Sequence, residues 1–146
     1  MAITKVFAIR SRFEKTVQYA ANEEKTSLSG MIEYAVNPDK TEKRLFESCL
    51  NCVSVENAAR DMERTKRRYN KTGGIQGYHI IQSFQPGEIT PEQTHAIGVE
   101  FARRLFGERF EIVVLTHLDK HHLHNHIAVN SVSFLDGKKL RCNMKT

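Results

Sequence analysis

A dense group of histidines in the carboxyl-terminal third is the strongest chemical feature of this 146-residue chain. His117, His124 and His126 stand in the string HLDKHHLHNH, and Asn130 follows four residues later. Because side chains alternate along a β-strand, His124 and His126 would share one face, and His117 could join them from the preceding strand. Three imidazoles from two strands form an open half-shell for a divalent cation, which is typical of a catalytic rather than a structural metal site.

Asp119 lies inside the same string, and we expect it to serve catalysis by holding one imidazole in its metal-binding tautomer. Neutral imidazoles suit Mn²⁺, Zn²⁺, Co²⁺ or Ni²⁺, whereas Mg²⁺ is harder to justify from ligand type alone. A histidine-rich surface turn with incidental metal affinity is the alternative. The apolar strand that carries His124 and His126 favours the metal site.

Interleaved helix and strand patterns predict an α+β fold, in which a central antiparallel sheet is flanked by helices. A capping box that begins at Thr90 marks one helix start, and Ser54 is expected to cap another helix. Asp136 and Gly137 indicate a hairpin turn after the last strand. We predict strands over residues 2–9, 75–84, 110–117 and 122–134, and helices over residues 54–69 and 90–105.

Two tyrosines stand in a short internal repeat within residues 11–41. The segment YAANEEKT begins at Tyr19 and recurs 15 residues later as YAVNPDKT, beginning at Tyr34, with five of eight positions identical. We interpret each copy as a short helix followed by a turn. A tyrosine phenolate can attack a phosphodiester once it is oriented and deprotonated, and its ordinary pKa is about 10.

The chain carries a net charge of +5 and has a pI near 9.2, which permits a polyanionic partner. Four basic residues are candidates for contacts with DNA phosphates, or else form a solvated helix face: Lys66, Arg67, Arg68 and Lys71. No apolar run is long enough to span a membrane, and no secretory signal is evident. The three cysteines are interpreted as reduced thiols, so we expect a cytoplasmic protein.

The motif H-x-D-x-x-H-x-H-x-H-x-x-x-N from His117 to Asn130, with NPDKT after Tyr34, resembles the relaxases of plasmids and conjugative transposons, in particular the MobA/MobL type. The segments HIIQSFQPGE from His79 and GVEFARR from Gly98 strengthen this resemblance. It implies the histidine–hydrophobe–histidine (HUH) endonuclease fold and strand-specific nicking of single-stranded DNA at a transfer origin. It also implies Mn²⁺ or Mg²⁺ as cofactor, a covalent 5′-phosphotyrosine, and accessory relaxosome proteins as further partners.

The resemblance leaves several assignments open. Motif fit favours Tyr34 as the nucleophile, whereas distance from the amino terminus also suits Tyr19. Ser83 and Asn130 are candidates for lining the DNA cleft, while His79 is expected to be a hydrogen-bonded sheet residue and His95 a helix-surface residue.

Residues 1–146 are predicted to form a single catalytic domain that lacks its carboxyl-terminal part, because few residues follow Asn130. An alternative function is therefore a truncated relaxase or a protein that binds origin DNA without cutting it. A metal-dependent phosphoesterase without a covalent intermediate is a third possibility.

Overall fold

The computed structural model describes residues 3–10, 32, 43–85, 87–119 and 122–141. The repeat predicted over residues 11–41, with Tyr19 and Tyr34, lies outside the described residues except for Ile32. The elements in the described part are β1 (Ile3–Ile9), β2 (Lys43–Leu50), α1 (Ala58–Arg68), β3 (Gly77–Phe84), α2 (Pro91–Phe106), β4 (Ile112–Asp119) and β5 (His122–Asn130). No helix among these residues is both long enough and apolar enough to cross a membrane.

The strands form one sheet in the order β1-β3-β5-β4-β2, and all neighbouring pairs are antiparallel. This arrangement confirms the predicted α+β fold with a central antiparallel sheet. The histidine-bearing strand β5 lies in the middle, so its backbone is hydrogen-bonded to a neighbour on each side. Side chains on β5 therefore start from a well-fixed backbone.

The two faces of the sheet carry different cores, because successive side chains point to opposite sides. On one face, Ala102 and Phe106 of α2 pack with apolar residues of β3, β4 and β5. On the other face, Ala58 and Met62 of α1 belong to a second buried cluster, which includes Leu115 and Ala128 as well as Ile32. The histidines lie on this second face, which we call the histidine face.

Helix α2 begins as its sequence predicts. The Thr90 side chain accepts a hydrogen bond from the Gln93 backbone N at 3.1 Å, and the Gln93 side chain accepts one from the Thr90 backbone N at 3.0 Å. Pro91 occupies the first turn, where the missing N–H costs nothing. The reciprocal cap fixes where α2 starts, and so which of its residues face the sheet.

Three local predictions differ from the structure. Strand β2 is not predicted from the sequence. Its segment KRLFESCL forms an edge strand, so it has mixed charges instead of a regular apolar alternation, and its register shifts between Arg44 and Phe46. Helix α1 begins at Ala58, since Ser54 accepts a hydrogen bond from the Asn57 backbone in a preceding turn instead of capping the helix. Strand β5 ends at Asn130, earlier than predicted.

Helix α1 buries a charged residue. Lys66 is only 2% exposed. Burial lowers the pKa of its ammonium from 10.5 to about 8, although the carboxylates of Glu63 and Glu111 act in the opposite direction. Burial also raises the pKa of Glu111, whose carboxylate accepts hydrogen bonds from Thr65 and Asn130 at 2.8 and 2.9 Å. This side of the fold is therefore sensitive to pH.

We expect the contribution of Lys66 to the free energy of unfolding to rise with pH between about 8 and 10.5, because the unfolded chain then binds a proton at Lys66 that the folded chain has lost. Across this pH range the Lys66 contribution should raise the free energy of unfolding by about 3 kcal/mol, and this gain is lost again as the pH falls to 8. A Lys66→Met variant should therefore be more stable than the wild type at pH 7, by about 1–3 kcal/mol. Urea unfolding across this pH range measures both effects.

Arg67→Met is the matched control for this experiment, because the Arg67 side chain is 73% exposed on the same helix. Burial raises the pKa of the Cys52 thiol to about 12, which should lower stability above pH 9 in every variant. The difference between Lys66→Met and wild type cancels that contribution. Parallel pH curves for the two proteins would contradict the prediction.

Candidate metal centre

The structure brings the three predicted ligands together on the histidine face. His117 on β4 lies directly opposite His124 on β5, and His126 lies two residues further along β5. The ring centroids of His117 and His126 are 4.8 Å apart, and those of His124 and His126 are 6.3 Å apart. The Nε2 atoms of His117 and His124 are buried. Their role as metal ligands stays a prediction.

Strand β3 places two further side chains beside these rings. Ser83 Oγ lies 3.2 Å from Nδ1 of His124, and His79 Nε2 lies 3.1 Å from Nδ1 of His126. A histidine that binds a metal through Nε2 usually makes a hydrogen bond through Nδ1, which fixes its tautomer and orientation. Ser83 and His79 thus stand where such orienting partners are needed, and His79 is hydrogen-bonded as predicted.

The distances between the three rings can be compared with those that a shared metal ion requires. In the described part of the chain, no group of three or more His, Cys, Asp or Glu side chains is already arranged to hold a metal ion. Imidazole nitrogens bind zinc-sized cations at ~2.0–2.1 Å, which puts neighbouring ring centroids ~4.5–5.5 Å apart. The 4.8 Å between His117 and His126 meets this condition. The His124 ring would have to move by about 1 Å to meet it as well, while the chemistry of three imidazole donors suits such a cation.

A buried hydrogen-bond network occupies the opposite face of the same strands. Asn125, fully buried between His124 and His126 in sequence, points toward α2. Its Nδ2 donates to the Thr94 carbonyl at 2.7 Å and to Gln82 Oε1 at 3.0 Å, and its Oδ1 accepts from the Thr116 hydroxyl at 2.6 Å. One amide therefore joins β3, β4 and α2 to the strand that carries the histidines.

The network continues through His95 in a defined direction. The Thr94 carbonyl can only accept, so Nδ2 of Asn125 faces it, and Oδ1 accepts from Thr116. The Thr116 hydroxyl in turn accepts from Nδ1–H of His95 at 2.7 Å, and Nε2 of His95 accepts from Ser48 at 2.7 Å. Burial lowers the pKa of His95, which agrees with a neutral ring.

Comparison with known proteins gives the family of the chain. Residues 34–146 match the family described as "Relaxase: MobA/VirD2-like, nuclease domain". The chain belongs to this family. The match covers β2 and every later element of this relaxase domain, and so includes all three candidate ligands.

Curated relatives carry related names. The chain is 44% identical over 120 residues to Protein rlx of Staphylococcus aureus, an alignment that covers 82% of this chain and 36% of the relative. It is 33% identical over 151 residues to the Group II intron-interrupted relaxase LtrB of Lactococcus lactis subsp. cremoris strain MG1363, covering 86% of this chain and 26% of LtrB. The relaxase domain thus spans about a third of the length of these relatives or less.

Two predicted DNA contacts of the relaxase domain are contradicted by the structure. Lys66 is 2% exposed and Asn130 is 0% exposed, so neither side chain is available to a DNA strand. Asn130 instead donates to Glu111 at 2.9 Å and to the Met62 carbonyl at 3.1 Å, and it accepts from the Ser131 backbone at 2.9 Å. Asn130 therefore holds the end of β5 against α1.

The predicted roles of the other candidate residues stay predictions. Arg67 and Arg68 are exposed at the end of α1, and Lys71 donates to the Gly137 carbonyl at 2.5 Å. Asp119 pairs through its backbone with His122 at the start of the β4–β5 hairpin. The side chain of Asp119 lies outside what the structure describes, as do Tyr19 and Tyr34.

The predicted position of His95 on the helix surface is wrong, because its ring contacts Ser48 of β2 and Thr116 of β4, and no role is predicted for Asn125 from the sequence. The strand alternation that puts His124 and His126 on one face puts Asn125 on the other. A polar residue at a buried strand position requires a hydrogen-bond partner, and this was the available signal. The motif name describes a hydrophobe between the histidines, whereas the relaxase domain has an asparagine there, satisfied by the network on the α2 side.

The Thr116→Val substitution should show how much this network contributes to the free energy of unfolding. The substitution keeps the shape of the side chain but leaves Asn125 Oδ1 and His95 Nδ1 without the hydroxyl they share, at a cost of about 1–3 kcal/mol in unfolding free energy. Thr116→Ser is the matched control, because it keeps the hydroxyl and loses only a methyl group. Urea unfolding of both variants measures the difference, and a valine variant more stable than the serine variant would contradict the prediction.

Proposed function

We propose that this chain is the DNA-nicking domain of a relaxase, which cuts one strand at a transfer origin and so starts conjugative transfer or mobilisation. The observation that carries the proposal is the convergence of His117, His124 and His126 on one sheet face in a chain of the relaxase family. The name of LtrB as a relaxase supports it. The proposed substrate is single-stranded origin DNA in the cytoplasm, with accessory relaxosome proteins as further partners.

In this proposal the histidines hold a divalent cation through Nε2. The proposal assigns Nδ1–H of His124 as the donor to Ser83 and Nδ1–H of His126 as the donor to His79, which leaves the lone pair of each ring on Nε2. Asp119 is assigned the same orienting task for one of the imidazoles. A bound cation, with Mn²⁺ or Mg²⁺ favoured and Zn²⁺, Co²⁺ or Ni²⁺ as alternatives, would stabilise negative charge on the scissile phosphate.

The nucleophile in this proposal is a tyrosine, with Tyr34 favoured by its NPDKT motif and Tyr19 as the alternative. The phenol loses its proton and its oxygen forms a bond to phosphorus, while the bond from phosphorus to the 3′ oxygen breaks. The products are a 5′-phosphotyrosine and a strand with a 3′-hydroxyl, which takes up a proton. The reverse reaction rejoins the strand without a nucleotide cofactor.

Electrostatic contacts would bring the strand to this site. Arg67 and Arg68 are exposed at the end of α1, and they are proposed to contact phosphates together with Lys71. Ser83 is proposed to line the cleft, and its 3.2 Å contact with His124, a proposed ligand of the cation, supports this assignment. DNA affinity should therefore fall steeply as the salt concentration rises.

A ligand-by-ligand test uses Co²⁺, whose visible absorption reports nitrogen ligation. We expect His124→Ala to weaken Co²⁺ binding by at least tenfold, because it removes one of three proposed nitrogen donors. His122→Ala is the matched control, since His122 is exposed on the same strand and face and is outside the proposed ligand set. Equal losses in both variants, or none in His124→Ala, would contradict the ligand assignment.

A covalent-trapping assay tests the proposed function as a whole. The protein is incubated with Mn²⁺, with or without EDTA, and labelled single-stranded oligonucleotides that tile the DNA flanking its own gene. We expect an adduct on a denaturing gel that EDTA abolishes, and mass spectrometry should locate it on Tyr34 or Tyr19. Tyr34→Phe and Tyr19→Phe, singly and together, identify the nucleophile, and the loss should be at least 1,000-fold for the correct residue.

Each alternative function gives a different result in this assay. Cutting that persists in the double phenylalanine variant would show a phosphoesterase without a covalent intermediate. Binding of DNA without cutting under any divalent cation would show a protein that binds origin DNA but does not nick it, as expected of a truncated relaxase.

A further inference from the structure

The edge strand β1 presents an unusual row of side chains on the histidine face. Ile3, Lys5 and Phe7 alternate along β1 and pair with Ser83, Ile81 and His79 of β3, in that order. Ile3 is 53% exposed and Phe7 is 46% exposed, and Lys5 between them is also exposed. Two large apolar side chains on either side of a lysine are thus open to solvent beside the candidate metal centre.

The row is continuous with the proposed ligands. The Phe7 ring centroid is 6.3 Å from that of His79, which in turn is 5.3 Å from that of His126 and stacks on it with a 28° interplanar angle. Phe7 is therefore one aromatic ring removed from a side chain proposed to bind the metal. A DNA strand with its phosphate at the histidines would have its neighbouring nucleotides within reach of β1.

The chemistry of the row fits an unpaired nucleic-acid strand. Proteins that hold single strands combine aromatic faces, on which bases stack, with cationic side chains along the backbone. Phe7 supplies the aromatic face and Lys5 the charge. None of the paired positions on this part of the histidine face carries a carboxylate: Ile3, Lys5, Phe7, His79, Ile81 and Ser83.

We propose that Phe7 is the stacking platform for an unpaired base next to the scissile phosphate, and that Lys5 contacts the adjoining phosphate. This inference rests on the proposed function and deepens it, because it assigns to β1 a subsite for the single-stranded substrate. Duplex DNA would not use the platform, since its bases are already stacked on one another. The subsite takes a base through its π-face, so it tolerates any of the four bases.

The composition of the chain permits a direct optical test. The sequence contains no tryptophan, so Phe7→Trp introduces a single fluorescent indole at the platform. We expect single-stranded oligonucleotides to quench its emission, whereas the same sequence as a duplex should leave it nearly unchanged. Leu105→Trp is the matched control, because Leu105 is 51% exposed but belongs to α2, on the opposite side of the sheet.

Affinity measurements supply the second readout. Phe7→Ala should weaken binding of single-stranded oligonucleotides by roughly 5- to 100-fold, and Phe7→Tyr should restore it, because the aromatic face is kept. Lys5→Gln should lower the slope of log affinity against log salt by about one phosphate contact. The urea midpoints of these variants, measured in parallel, separate loss of binding from loss of folding.

The outcomes separate this inference from the proposed function. Adduct formation by the wild type, together with unchanged Phe7→Trp emission and unchanged Phe7→Ala affinity, would overturn the platform and leave the nicking function standing. Equal quenching of Phe7→Trp and Leu105→Trp would also overturn it. Failure of the wild type to bind any single-stranded oligonucleotide would reject the platform and the proposed function together.

Discussion

The side-chain amide of Asn125 makes three hydrogen bonds at a place that water does not reach, and these bonds tie β3, β4 and α2 to the central strand β5. An unsatisfied amide there would cost about 1–3 kcal/mol, so β3, β4 and α2 must each stay within bonding distance. Helix α2 can approach closely because residue 98 is glycine: a Cβ at Gly98 would lie 2.6 Å from Asn125 Nδ2. The hydrogen bonds of Asn125 and the missing side chain at Gly98 thus both allow α2 to pack closely on the sheet.

This network and the histidines share the same few residues of backbone. Thr116 precedes His117, and Asn125 stands between His124 and His126. Because alternate side chains leave a strand on opposite faces, whatever fixes Thr116 and Asn125 on the α2 side also fixes the starting points of the imidazoles on the other. The proposed ligands thus lie on one face of the strands, and the hydrogen-bond network that supports them lies on the other.

Local sequence patterns predict the two strands that carry the histidines, although β5 ends earlier than predicted, and they predict α2, whose cap lies within four consecutive residues. They failed where a residue is defined by distant partners. His95 is held by Ser48 and Thr116, which are 47 and 21 residues away in sequence. Lys66 belongs by pattern to a solvated basic run, and only the packing of α1 shows that it is buried. Long-range packing, which no local pattern encodes, decided both cases.

The same distinction applies to the spacing of the three histidine rings. Backbone register puts His117 opposite His124 and all three imidazoles on one face of the sheet. The 6.3 Å between His124 and His126 depends on side-chain torsions, which the backbone leaves adjustable. In the proposed site a cation would therefore move one ring, and the sheet that carries the rings would stay as it is.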